Sequence, residues 1–144
     1  MLEYTDEENQ AKRPVMLHRA ILGSFERFVA ILTEHFSGEF PFAIAPTQVV
    51  IIPISQAQLS YAKEIQLKIR QVGAYAEILN KNETLNKRIR TAEKQRVPMI
   101  LVIGEKEVES KILAIRDRRS KQQYNLSEGE LITLIESKLK EVSF

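Results

Sequence analysis

Two continuous apolar runs, VVIIPI at 49–54 and MILVIG at 99–104, leave this chain few folds to choose from. Each has strand length and neither alternates with polar residues, the pattern of a strand covered on both faces of its sheet. The sequence between them reads as helix, strand, helix. Ser55 and Gln58 form an S-x-x-Q capping box ahead of Leu59, Ala62, Ile65, Ile69 and Val72, and Gly73 stands where that helix would stop. AYAEIL at 74–79 reads as a second strand, and Leu85, Ile89 and Ala92 mark a helix with basic outer faces that ends before Pro98. After MILVIG, KILAIRD (111–117) alternates, so Ile112, Ala114, Arg116 and Arg118 fall on one side of a strand. A short QQYNL follows, and Ser127 with Glu130 caps a last helix running to about Val142.

Strand, helix, strand, helix, strand implies right-handed crossovers and parallel pairing, with helices on the sheet. The two later strands follow their predecessors too closely for helical crossovers and should pair antiparallel. The expected fold is α/β, a mixed sheet of about five strands with three helices, spanning roughly residues 46–144. Upstream, Ile21, Phe25, Phe28, Leu32 and Phe36 recur at helical spacing, which predicts an amphipathic helix from about Ala20 to Phe36. Gly38, Pro41 and Pro46 then break the pattern, so the expected organisation is 1–37, a linker at 38–45, and 46–144. Residues 1–13 are polar and acidic and read as a poorly ordered lead-in.

Several chemistries are excluded by inventory. The 144 residues contain no cysteine, so there is no thiolate nucleophile, no disulfide and no thiolate metal ligand. Glycines at 23, 38, 73, 104 and 129 make neither GxxxxGK nor GxGxxG. His18 and His35, the two histidines, lie in no spacing that marks a catalytic triad, and a protein-made metal site is hard to assemble. No apolar stretch reaches membrane-spanning length, and the acidic start lacks the pattern of a secretory signal; together with the missing cysteine this fits a cytoplasmic setting.

Charge is informative through its distribution. Residues 81–96 carry six basic and two acidic side chains and 111–121 carry five and one, so each block holds +4 within a chain of net +2. Two such blocks are what a localised polyanion footprint looks like; two solvated surfaces that happen to be basic are the alternative. Asn82, ahead of the basic helix, offers a base edge both a donor and an acceptor. Glu107, in the loop after the central strand, can accept from guanine or cytosine amino groups, and Arg116 supplies a planar fork. Asn82 and Glu107 both follow parallel strands at their carboxyl ends, where open α/β sheets bind ligands.

RPVMLHRAILGSFERF, GEFPFAIAPTQVVIIPIS, RVPMILVIGEKEVES and AIRDRRS, taken together, resemble the carboxyl-terminal portion of bacterial threonyl-tRNA synthetases, over nearly all of residues 12–120. The resemblance implies that residues 1–37 are the end of a class II catalytic core, its motif 3 strand and helix, and that 46–144 is an anticodon-binding domain. It implies that Arg27 matches the motif 3 arginine that holds ATP phosphates and that His18 matches one of three protein ligands of a zinc ion. The other ligands, a histidine and a cysteine, would lie upstream, as would motifs 1 and 2. The parent enzyme would be a homodimer using ATP, Mg and Zn, while this chain alone would bind no cofactor and be inactive. Asn82, Glu107 and Arg116 match positions that read anticodon bases of threonine tRNA, with Lys87, Arg88, Arg90 and Lys94 supplying backbone phosphate contacts on the stem-loop. The alternative is a non-catalytic regulatory or protein-interaction module that reuses the fold.

Overall fold

The computed structural model describes residues 2–141. They divide into two compact units, one up to Leu32 and one from Thr33 onward, with one helix running from the first into the second. Among the described residues no helix is long and apolar enough to cross a membrane.

The first unit corrects two expectations. The lead-in is a small antiparallel hairpin, β1 (Tyr4–Thr5) and β2 (Ala11–Lys12). Asp6 makes the turn: its Oδ1 accepts the Glu8 and Gln10 N–H groups, each at 2.9 Å, and its other oxygen pairs with Lys12. An aspartate that bonds its own backbone two residues on is a local turn signal, outside the reach of any hydrophobic pattern. The expected motif 3 strand is absent, for residues 13–20 form no regular element; strand backbone requires a paired neighbour, and no described strand pairs with them. Helix α1 (Phe25–His35) starts five residues later than its apolar spacing predicts. Gly23 takes φ +70° and the Ser24 Oγ accepts from the Arg27 N–H at 3.2 Å, so the chain turns and caps there. None of the residues of α1 is buried.

The second unit is the expected mixed sheet. Its strands are β3 (Val49–Pro53), β4 (Ala76–Ile78), β5 (Met99–Ile103), β6 (Ile112–Asp117) and β7 (Gln123–Ser127), in the order β4-β3-β5-β6-β7. β3 is parallel to both β4 and β5, and β6 and β7 add antiparallel at one side. Every residue of β3 is buried, as a central strand covered on both faces must be. Helices α2 (Leu59–Gln71) and α5 (Glu128–Lys140) cover one face: Ile65, Ile69, Leu131 and Ile135 pack on Val49, Ile51, Met99, Leu101, Leu113 and Ile115. Val142, where the last helix was expected to end, lies outside the described residues.

Helix α3 (Leu85–Lys94) covers only part of the opposite face, joining Val50, Ile52, Leu79 and Ile100 through Leu85, Ile89 and Ala92. Both capping boxes form: Ser55 N–H donates to Gln58 Oε1 at 2.9 Å, and Ser127 N–H donates to Glu130 Oε2 at 2.8 Å. A fourth helix in this unit, α4 (Glu105–Ser110), was not expected from the sequence. Tyr61 of α2 reaches across to α5, donating its hydroxyl to Glu128 Oε1 at 2.6 Å, while Lys68 pairs with the same carboxylate at 2.6 Å. Desolvation, then the bond to Glu128, raise the Tyr61 hydroxyl above its ordinary pKa; the bonds from Lys68 and Tyr61 hold the Glu128 carboxyl below its own.

Candidate nucleic-acid interface

The sequence candidates line one edge and one open face of the second unit and do not form a single cluster. Asn82 is exposed in the loop leaving β4, just ahead of Thr84, which starts α3. Glu107 follows β5. Those strands flank β3, so the two loops depart about 10 Å apart at ordinary strand spacing. Arg116 lies opposite Ile100 on the neighbouring strand, three residues before the end of β5, and so about 10 Å down the face from the edge that carries Glu107. A splayed single strand, with its bases spread along this path, can meet all three, whereas a compact small molecule cannot.

Glu107 lies in the first turn of α4 rather than in a loop. Its Oε2 accepts the Gly104 N–H at 2.8 Å, the one half of a capping box that a glycine N-cap, with no side chain, can make. A carboxylate has two oxygens, so capping through one leaves acceptor capacity for a base amino group. Gly104 keeps that arrangement open, because an added Cβ would stand 2.8 Å from Ile54 Cδ1 and 3.0 Å from Glu107 Oε2. Arg116 is about half exposed, and its Nη1 pairs with Glu93 Oε1 on α3 at 2.9 Å. The pair lies at the surface and leaves the other guanidinium N–H groups free to donate. Beside it the uncovered sheet forms a groove of about 220 Å³ lined by Ile89, Ile100, Val102, Ala114, Gln123 and Asn125.

Arg88 is not a surface phosphate contact. It is buried, at 6% exposure, with Nη1 donating to the Pro53 carbonyl at 2.6 Å and the Leu79 carbonyl at 3.2 Å, and Nη2 to the Ile54 carbonyl at 3.2 Å. Its fork thus gathers the carbonyls at the carboxyl ends of β3 and β4, directly beneath the Asn82 loop. Gln56 and Asn80 exchange amide hydrogen bonds at 3.2 and 3.3 Å and tie the two departing loops together. Lys87, Arg90 and Lys94 are exposed on α3, with Lys87 paired to Glu83 at 2.9 Å. The basic face of α3 is therefore real but one cation smaller than its sequence implies.

His18 and Arg27 are both exposed in the first unit. Among the described residues no group of three or more histidine, aspartate or glutamate side chains could hold a metal ion. One exposed imidazole does not meet the three or four protein ligands that zinc requires, so these residues do not by themselves fit the ion.

The Anticodon binding domain family matches residues 48–138. The chain is 67% identical to a threonine–tRNA ligase of Helicobacter hepaticus and 62% identical to one of Campylobacter lari, in each case over 99% of this chain and 24% of the relative. It thus spans about a quarter of the length of the curated relatives it matches. In structure it is similar to the RNA binding domain of threonyl-tRNA synthetase from Cryptosporidium parvum, with a TM-score of 0.75 and 34% identity over 95% of this chain and 35% of that one. A histidyl-tRNA synthetase from Nostoc shares the fold at TM-score 0.61 and 22% identity, over 65% of this chain and 23% of that one. The sequence match over most of the second unit and the mixed sheet agree: this chain belongs to the anticodon binding domain family, and its full-length relatives are threonine–tRNA ligases.

Proposed function

We propose that this chain reads the anticodon of threonine tRNA as the carboxyl-terminal part of a threonine–tRNA ligase. The observation that supports this best is Arg116, held by Glu93 at the margin of an open apolar face in a chain of this family. Its planar fork can donate two parallel hydrogen bonds to a base, Glu107 can accept from an exocyclic amino group, and Asn82 can do both. Lys87, Arg90 and Lys94 supply the backbone contacts, which carry affinity and salt dependence but no sequence information.

In this reading residues 1–37 finish the catalytic core, 38–45 link, and 46–144 read RNA. The parent would activate threonine with ATP and Mg, with His18 as one ligand of its zinc and Arg27 on the ATP phosphates, and would work as a cytoplasmic homodimer. This chain alone lacks the partners of both residues and is inactive.

Binding of a stem-loop with the threonine anticodon, set against loops with altered anticodon bases, tests the proposal. Arg116→Ala is expected to cost about 1–3 kcal/mol and to relax preference at one base. Lys94→Ala is expected to weaken all loops alike and to lower the salt slope by about 1. Equal affinity of the unaltered chain for every loop would overturn base reading and favour an interaction module instead.

A further inference from the structure

We propose that the groove beside Arg116 seats one unstacked nucleobase, with the side-chain amides of Gln123 and Asn125 reading its edge. The proposal rests on the anticodon-reading function above and adds two specificity residues to it. The floor is Val102 and Ala114, on the part of the sheet that α3 leaves uncovered, with buried Ile100 at the edge of α3 and Ile89 of α3 forming one wall. The opposite margin is β7. Tyr124 and Leu126 of that strand pack into the core, so the alternation of a strand turns Gln123 and Asn125 to the open face. Gln123 lies directly opposite Arg116 and Asn125 directly opposite Ala114, which places their Cβ atoms about 5 Å from those of their partners.

The chemistry selects the occupant. A hollow of about 220 Å³ takes the volume of roughly seven liquid waters, enough for one flat base but not for a folded segment of a partner protein. No aromatic side chain lines it, so a base would lie against the aliphatic floor and the guanidinium plane of Arg116, a surface on which RNA bases stack. Each amide presents one acceptor and two donors, the set needed for a bidentate bond to a base edge. On the far side of Arg116 a second hollow of about 260 Å³ is lined by Lys121 and by Arg118, which pairs with Glu39 at 2.8 Å, beside the carboxylates Glu93 and Asp117; Lys121 is the cation placed for the sugar-phosphate chain of a splayed base. Apolar floor, amide rim and basic flank together describe a nucleotide.

Gln123→Ala and Asn125→Ala, both at exposed positions of an edge strand, can be measured in the 144-residue chain against stem-loops altered at one anticodon position at a time. The expected result is a roughly tenfold loss of preference at the same single position in both variants, with urea midpoints unchanged. Ala114→Leu, which fills the floor, should weaken every loop by roughly tenfold without loss of stability. Unaltered discrimination in both amide variants, or full affinity in Ala114→Leu, overturns the seat while leaving anticodon reading intact. If the unaltered chain itself binds all loops alike, the failure lies in the anticodon function, and the seat falls with it.

Discussion

Arg88 shows how one side chain can be mistaken for its neighbours and still matter to the site. A buried guanidinium whose described partners are carbonyls, and whose Nε finds none, is held by geometry: three bonds converge on strand ends that would otherwise leave acceptors unsatisfied. Arg88→Ala is expected to lower stability by about 3 kcal/mol or more, because it strands those acceptors and leaves a cavity beneath the Asn82 loop. Arg88→Lys should fall between, keeping the charge but losing the planar fork. Urea unfolding followed by circular dichroism checks both. A phosphate contact would behave in the opposite way, with an unchanged midpoint and a lower salt slope for RNA. The helical spacing already carried a sign of this burial, for position 88 falls on the stripe of Leu85, Ile89 and Ala92. Its charge alone points Arg88 to the surface, while its place on that stripe points it inward.

At the scale of elements, two helix starts were legible from their capping side chains, while that of α1, capped by Ser24, was hidden by an apolar spacing that runs back past it. Ser55 with Gln58 and Ser127 with Glu130 form the boxes their spacing predicts. Ser127→Ala is expected to cost about 1 kcal/mol, read as a lower thermal midpoint, since the Glu130 N–H loses its acceptor and the Glu130 carboxylate loses the hydroxyl that helps hold its pKa down. Helix α4 was not legible for the converse reason. Its cap is a glycine, and only Glu107 at the third helical position records the box. The β1-β2 hairpin escaped likewise, because a two-residue strand is too short to alternate. Parallel and antiparallel pairing followed from connection length, while the open half-face did not, because nothing in α3 states how far it reaches across the sheet.

At the scale of the whole second unit, two carboxylates set its response to acid. Burial pushes the Asp117 carboxyl up, but Lys138 at 2.8 Å and the N–H groups of Ser120 and Arg119 outweigh burial and hold it below its ordinary 3.8. Glu128 is held below 4.5 by Lys68 and Tyr61. Both groups have folded pKa values below their unfolded ones, so the stability they add is fully present above about pH 5 and is lost as pH falls through the folded values. Urea midpoints measured from pH 6 to pH 3 should therefore fall below about pH 4.5. Lys138→Met removes the ammonium that counters burial at Asp117, so the folded pKa of that carboxyl rises toward its unfolded value and the acid decline should become shallower, from a lower stability at pH 6; an unchanged acid limb would contradict this account.

The same unit divides labour between its two faces. The side packed by α2 and α5 holds most of the buried apolar side chains, whereas the half-face beyond α3 contributes little to the core. Substitutions on that half-face are therefore nearly free of folding consequences, so selection can act there on recognition alone. One frame can then be re-addressed from one anticodon to another by changing a handful of exposed residues while its interior stays as it was.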